Sequence, residues 1–193
     1  MNNPEYVKIG NKKYKINTDF RLAIECNNIA IDDNIGDTER PLAIIYKLFG
    51  DDGLNNPNDW EKLLELGMKY LCMNRELDDD NEEPDMDFNK DMDYIEASFM
   101  SDYKIDLTNT NMHWWKFFNL IEGLSNSEIG NCCVLNRIRN LRTFDVSQIK
   151  NPKEKAKIIE AKQKVALQKK EVKITDKEQN NQDKFFELLD GGD

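Results

Sequence analysis

His113 is the only histidine of the chain, and histidine is the side chain most often used for acid–base catalysis near neutral pH. No serine, cysteine or aspartate stands at a recognisable motif spacing from it, and Trp114 and Trp115 follow it directly. A lone histidine beside two tryptophans is typical of a structural position. The nucleotide-binding motifs GxxxxGKS/T and GxGxxG and the zinc-hydrolase motif HExxH do not occur. We therefore expect a non-enzymatic protein without catalytic residues.

The cysteines and the acidic residues do not match the spacing of a metal site. The four cysteines include no CxxC pair, and the adjacent Cys132 and Cys133 would point about 100° apart on a helix. A calcium loop needs ligands at fixed offsets around a central glycine, and the acidic segment from Glu76 to Asp93 contains no glycine. We expect no metal and no other cofactor, and we expect the cysteines to be reduced thiols.

The charge of the chain is divided between separate segments. Residues 76–93 carry ten acidic residues and one lysine, so the net charge of this segment nearly equals the net charge of −10 of the whole chain. Residues 150–178 carry a net charge of +5. Like charges this dense repel one another, so the acidic segment is predicted to be a solvated loop. A DNA-mimicking acidic patch is the weaker alternative.

Nucleic-acid and membrane binding are not expected. Arg137, Arg139 and Arg142 form a basic run that is more typical of a solvated helix end than of a phosphate site, and the net charge of −10 opposes binding of nucleic acid. No apolar run approaches the roughly 18 residues that span a bilayer. The first ten residues lack the hydrophobic region of a secretory signal, so we expect the protein to stay in the cytoplasm of the cell that makes it.

The residue patterns predict a mainly α fold, a bundle of about six helices with a short N-terminal β-hairpin. Tyr6–Ile16 reads as the hairpin, because Gly10 and Asn11 suit a two-residue turn. Apolar residues at helical spacing follow a series of cap signals. The predicted helices begin after the cap cluster Asn17, Thr18 and Asp19, after Thr38, after Asn58 or Asp59, near Asp91, after Thr108 or Thr110, and after Ser125 or Ser127. The second helix is predicted to end at Gly50 and the fifth at Gly123.

A change of composition predicts two parts in the chain. Residues 1–149 would form the helical domain with its hairpin and the acidic loop 76–93. Residues 150–193 would form a basic helix, opened by Asn151 and Pro152 and either projecting from the body or partly frayed, and a flexible C-terminal tail. The tail ends in a short apolar peptide that is predicted to bind a partner or the protein's own domain. Its apolar residues are Phe185, Phe186, Leu188 and Leu189.

Residues 94–124 hold two of the three tryptophans and the only histidine, and such a cluster marks a core or an interface. Two rows at helical spacing merge into one wide buried face on the fifth helix. The predicted core positions are Tyr94, Phe99, His113, Trp114, Phe117, Phe118 and Ile121. Trp115 lies at the border of this face with Lys116 and Asn119 beside it, so these three are predicted to contact a partner. A half-buried Trp115 that only closes the core is the alternative.

The longer segment 93–140, which contains this cluster, resembles a family of small phage proteins, the "gene product fifteen" proteins of long-tailed phages that infect Gram-positive bacteria. The resemblance spans about residues 5–145 and includes the hairpin and the TDFR sequence from Thr18. Lys104 stands where the family usually has glycine. The matching residues are Asp93, Tyr94, Ile95, Ala97, Ser98, Phe99, Tyr103, Ile105, Asp106, Leu107, His113, Trp114, Trp115, Phe117, Gly123, Leu124, Ile138 and Arg139.

The resemblance implies a role in building the phage tail. Proteins of this family are encoded just before the tape-measure gene and are taken to be tail assembly chaperones. By resemblance, this protein would coat the tape-measure protein in the bacterial host cytoplasm, help to recruit tail-tube protein, and be absent from the mature virion. Homo-oligomerisation is left open. The alternative from a different class is a structural tail or connector component that stays in the virion.

Overall fold

The computed structural model describes residues 3–75, 84–126 and 132–167. Within these ranges the chain forms seven α-helices and one two-stranded antiparallel hairpin, which confirms the mainly α fold. The described residues divide into two compact units, the first comprising residues 3–75 and the second residues 84–126 and 132–167. The sequence-based division between residues 149 and 150 stays a prediction.

The first unit begins with the predicted hairpin, formed by β1 (Tyr6–Ile9) and β2 (Lys12–Lys15). Gly10 supplies the positive φ of +55° that the turn requires. Val7 lies opposite Tyr14, and Tyr14 is buried, so one face of the hairpin packs on the helices. A hairpin alone is marginal in water, and this packing stabilises it.

Three helices complete the first unit: α1 (Phe20–Ile31), α2 (Glu39–Leu54) and α3 (Trp60–Leu71). The Asp19 carboxylate accepts a hydrogen bond from the Arg21 N–H and caps α1 as predicted. Helix α2 packs against both α1 and α3. The buried apolar residues that these three helices share are Phe20, Ala23, Ile24, Cys26, Ile44, Ile45, Leu48, Phe49, Leu63, Tyr70 and Leu71.

Gly50 ends the first helical stretch of α2 as predicted, because its φ of +63° and ψ of −155° are not helical. A further helical turn, which the sequence did not predict, follows Gly50 and continues to Leu54. That turn is held from α3, because the Trp60 indole N–H donates to the carbonyl oxygens of Gly53 and Leu54. A contact from α3 therefore holds the helical turn that follows the break at Gly50.

The second unit contains α4 (Phe88–Tyr103), α5 (Trp114–Glu122), α6 (Val134–Thr143) and α7 (Pro152–Val165). Helix α4 begins three residues earlier than predicted, because the Asp87 carboxylate caps it by accepting from the Asn89 and Lys90 N–H groups. The last third of the acidic segment 76–93 is thus helical and not a loop. Residues 76–83 lie outside the described residues.

The N-termini of α5 and α6 also differ from the prediction. The His113 imidazole, and not Thr108 or Thr110, caps α5 by accepting from the Trp115 N–H at 3.0 Å. Thr108 instead belongs to a turn closed by Asp106, whose carboxylate accepts from the Thr108 N–H and hydroxyl. Helix α6 begins after Cys133, and Ser125 is not helical. Ser127 lies outside the described residues.

Helix α7 follows the predicted cap, since the Asn151 side chain accepts from the Lys153 N–H and Pro152 is the first helical residue. It packs on α6 and on the 3₁₀ turn Val146–Gln148, so one of the two expectations, a helix projecting from the body, is wrong for the described part of this segment. The apolar tail with Phe185, Phe186, Leu188 and Leu189 lies outside the described residues.

Lys104 ends α4 in the left-handed conformation, with φ +58° and ψ +32°. Its N–H and that of Ile105 both donate to the Phe99 carbonyl oxygen, which closes the helix. This is the position where the resembled family usually has glycine, and glycine adopts a positive φ without the steric cost that a Cβ brings. Lys104 therefore carries backbone strain in this chain.

Replacing Lys104 with glycine should stabilise the protein by about 1 kcal/mol, because the left-handed cap loses its Cβ clash. Urea denaturation of the full chain measures the change. Lys104→Ala is the matched control, since it also removes the lysine side chain but keeps the Cβ. Equal midpoints for the glycine and alanine variants would contradict the strain.

Candidate partner-binding surface and its supporting core

The inner face of α5 is the centre of an aromatic core in the second unit. Trp114, Phe117 and Ile121 are buried on it. The Phe117 ring stacks on Phe99 of α4 with ring centroids 5.4 Å apart, and Phe88 meets Trp114 edge-on at 5.8 Å. Aromatic pairs in these arrangements stabilise a core beyond the area they bury. The core therefore fixes α5 against α4.

The predicted core positions fall into two groups by exposure. Phe99, Trp114, Phe117 and Ile121 are buried. Tyr94, His113 and Phe118 are half-buried; Phe118 meets Trp114 edge-on at 5.5 Å, and His113 is the cap of α5. The half-buried group lies at the margin of the core, where side chains contact both the interior and solvent.

The outer side of α5 carries the three residues predicted to contact a partner. Lys116 and Asn119 are exposed, and Trp115 is half-buried with its ring edge-on to the His113 ring at 6.4 Å. We call Trp115, Lys116 and Asn119 the α5 surface. The structure brings the three side chains onto one exposed side of a short helix. Their role in binding stays a prediction.

The C-terminal end of α4 holds the C-terminal end of α5 in place. The Tyr103 hydroxyl donates to the Leu120 carbonyl oxygen at 2.9 Å. The Asp102 carboxylate accepts from the Ser125 N–H at 2.8 Å, and this hydrogen bond lowers the pKa of Asp102 below its ordinary value. These contacts fix both the position and the rotation of α5, and so the direction in which the α5 surface points.

Buried polar side chains join α4 to α6. The Ser98 hydroxyl donates to the Tyr94 carbonyl oxygen at 2.6 Å and accepts from the Leu135 N–H at 3.1 Å. The Asn136 amide donates to the carbonyl oxygens of Leu124 and Ser125. Each of these buried polar groups has partners, so none carries the cost of an unsatisfied group.

A buried ion pair between Asp91 and Arg142 lies at the other end of α4. The guanidinium Nη1 and Nη2 atoms lie 2.6 and 2.7 Å from the two carboxylate oxygens, a bidentate arrangement. Asp91 is fully buried, and the Arg142 side chain is 9% exposed. The Asp91 carboxylate raises the pKa of Arg142 above its ordinary value, so the guanidinium stays charged.

Arg142 also binds two main-chain oxygens from separate segments. Its Nη1 donates to the Asp85 carbonyl oxygen at 2.9 Å, and its Nε donates to the Val165 carbonyl oxygen at 2.7 Å. The Asp91 carboxylate in turn accepts from the Asp87 N–H. One arginine thus joins α6 to the start of α4 and to the end of α7.

Sequence reasoning missed this ion pair and assigned both residues to solvated charge runs. A signal was present, since Asp91 precedes the buried Ile95 by four residues and Phe99 by eight, which places it on the apolar face of α4. Arg142 likewise follows the buried Leu135 by seven residues. Neither position reveals its partner, because the two are 51 residues apart in the chain.

The family model for "Bacteriophage Gp15 protein" matches residues 2–167. The chain belongs to this family. The match covers both described units and confirms the family resemblance found in the sequence, so this is a phage protein. No curated protein and no solved structure matches the chain. Among the described residues of this Gp15-family protein, no helix has the length and apolar character needed to cross a membrane.

Replacing Arg142 with methionine should destabilise the protein by about 3–5 kcal/mol, because it leaves the Asp91 carboxylate buried without its partner. Arg139→Met is the matched control: Arg139 pairs with Asp85, but both side chains are about one-third exposed, so its loss should cost at most about 1 kcal/mol. Urea unfolding of the full chain measures both. Equal costs for the two variants would contradict a stabilising role for the buried pair.

Proposed function

We propose that this protein is a tail assembly chaperone that binds the tape-measure protein during tail morphogenesis, without catalysing a reaction. The observation that carries the proposal is membership of the bacteriophage Gp15 family over residues 2–167. The gene order and assembly role implied by the resemblance supply the finer assignment. The α5 surface supports the proposal, because it places the Trp115 side chain at the margin of the aromatic core, where a partner can contact it.

Trp115 would be the central contact of the α5 surface. A half-buried tryptophan offers a large apolar area and an indole N–H, and tryptophan is enriched among the residues that dominate binding energy at interfaces. An amphipathic helix of the tape-measure protein would place its apolar stripe on Trp115. Lys116 and Asn119 would then lie at the polar rim of the contact.

The packing around α5 favours binding without rearrangement. Phe99 and Tyr103 of α4 hold α5 on its inner side, so the helix is already ordered before a partner arrives. Ordering a segment on binding would cost free energy, and a preformed helix avoids that cost. In this proposal the complex forms in the host cytoplasm, helps to recruit tail-tube protein, and separates before the virion is complete.

Coexpression with the tape-measure protein of the same phage should yield a soluble complex that elutes as one species. Trp115→Ala should weaken that complex at least tenfold, because an interface tryptophan typically contributes more than about 1.4 kcal/mol. Phe144→Ala is the matched control, since Phe144 is an aromatic residue of the same unit that is 44% exposed. Both variants should keep the wild-type helical content.

Two outcomes would contradict the proposal. The first is a tape-measure protein that stays insoluble with no complex formed. The second is stoichiometric presence of this protein in purified virions by mass spectrometry, which would favour the structural tail or connector component. A complex that forms equally well with Trp115→Ala would instead place the contact away from the α5 surface.

A further inference from the structure

We propose that the outer face of the β1–β2 hairpin is a docking surface for an acidic peptide segment of a partner protein. This face belongs to the first unit and is separate from the α5 surface. The inference does not depend on the tape-measure role.

The outer face of the hairpin is defined by the strand register. Tyr6 lies opposite Lys15 and Lys8 lies opposite Lys13, and side chains of directly paired residues share one face of the ribbon. All four residues are exposed, whereas Tyr14 on the other face is buried. Three lysines and one tyrosine therefore form a compact basic surface, which we call the hairpin face.

The lysines of the hairpin face differ from most of the other cations of the first unit. Six others form ion pairs with carboxylates: Lys12, Arg21, Arg40, Lys47, Lys62 and Lys69. Among the described residues, no carboxylate lies within ion-pair distance of Lys8, Lys13 or Lys15. The three lysines of the hairpin face are thus available to carboxylates of a partner.

Lys8 and Lys13 are directly paired across the hairpin, so their positive charges repel each other. Like charges opposite one another on a sheet destabilise it, and this cost falls when an anion lies between them. Lys13 and Lys15 are two residues apart on one strand, a spacing of roughly 7 Å. Alternate side chains of an extended acidic peptide have the same spacing, so its carboxylates would reach Lys15 and the Lys8–Lys13 pair together.

Two observations favour an acidic peptide over a nucleic acid. The Lys13 ammonium lies 3.6 Å from the centre of the Tyr6 ring, which places a cation on a ring face that a base would need for stacking. The chain also carries a net charge of −10, which repels a phosphate backbone at long range, whereas a short peptide carries few charges. The Tyr6 ring, 42% exposed, still offers apolar area to a neighbouring peptide side chain.

The test is fluorescence anisotropy of a short labelled Asp/Glu-rich peptide with the full-length protein at low ionic strength. The triple variant Lys8→Gln, Lys13→Gln, Lys15→Gln should raise Kd roughly tenfold, because three exposed ion pairs are lost. The matched control changes the same charge elsewhere in the unit: Lys47→Gln, Lys62→Gln, Lys69→Gln should change Kd less than about twofold. Added salt should weaken wild-type binding.

Four results would overturn the proposal. One is no binding of the peptide by the wild type, and another is equal binding by the two triple variants when both keep the wild-type unfolding midpoint. A third is tighter binding of a single-stranded oligo-dT than of the peptide, which would assign the face to nucleic acid. The fourth concerns a variant in which the six acidic residues of 76–83 are replaced by their amides. If this variant binds the peptide and the wild type does not, the occupant of the hairpin face is the acidic run of the chain itself and not a partner protein.

Discussion

The second unit depends on the buried ion pair between Asp91 and Arg142. Removing two charges from water costs several kcal/mol for each ion, and only good geometry with further hydrogen bonds offsets that cost. Here the bidentate contact is joined by the carbonyl oxygens of Asp85 and Val165 and by the Asp87 N–H. A single side chain thereby joins the start of α4, the end of α6 and the end of α7. The unit can keep a charged pair inside because each of its groups has a partner.

Helix α4 connects this ion pair to the α5 surface. With its first turn fixed by Arg142, the helix carries Ser98 and Phe99 to the centre of the core and Tyr103 to the end of α5. Helix α5 has only nine residues, too few to be stable in water alone, so its position is set by these contacts. The α5 surface is therefore presented in one orientation, which is what a docking surface for another helix requires. The hairpin face belongs to the other unit and has a different chemistry, basic rather than aromatic.

Turn and cap residues in the sequence predicted much of the fold, but they predicted few of the long-range contacts that hold the α5 surface in place. The hairpin followed from Gly10 and Asn11, and the caps at Asp19 and Asn151 were correct because each involves groups two residues apart. The break at Gly50 was predicted, but the helical turn after it was not, because the Trp60 indole holds that turn from another helix. The buried ion pair was missed for the same reason: composition assigns Asp91 to an acidic run, and only the distant Arg142 makes its burial favourable. The spacing of the aromatic residues predicted the core. The exposure of the Trp115 and His113 side chains at the margin of the core was not predictable, because it depends on how α5 is capped.

Hydrogen–deuterium exchange of the full chain and its Arg142→Met variant tests most directly whether one arginine holds the three segments together. We expect the start of α4 near Asp87, the end of α6 and the whole of α7 to lose protection together in the variant, while α1 in the first unit is unchanged, because Arg142 contacts all three segments. A loss of protection confined to α6 would contradict this expectation.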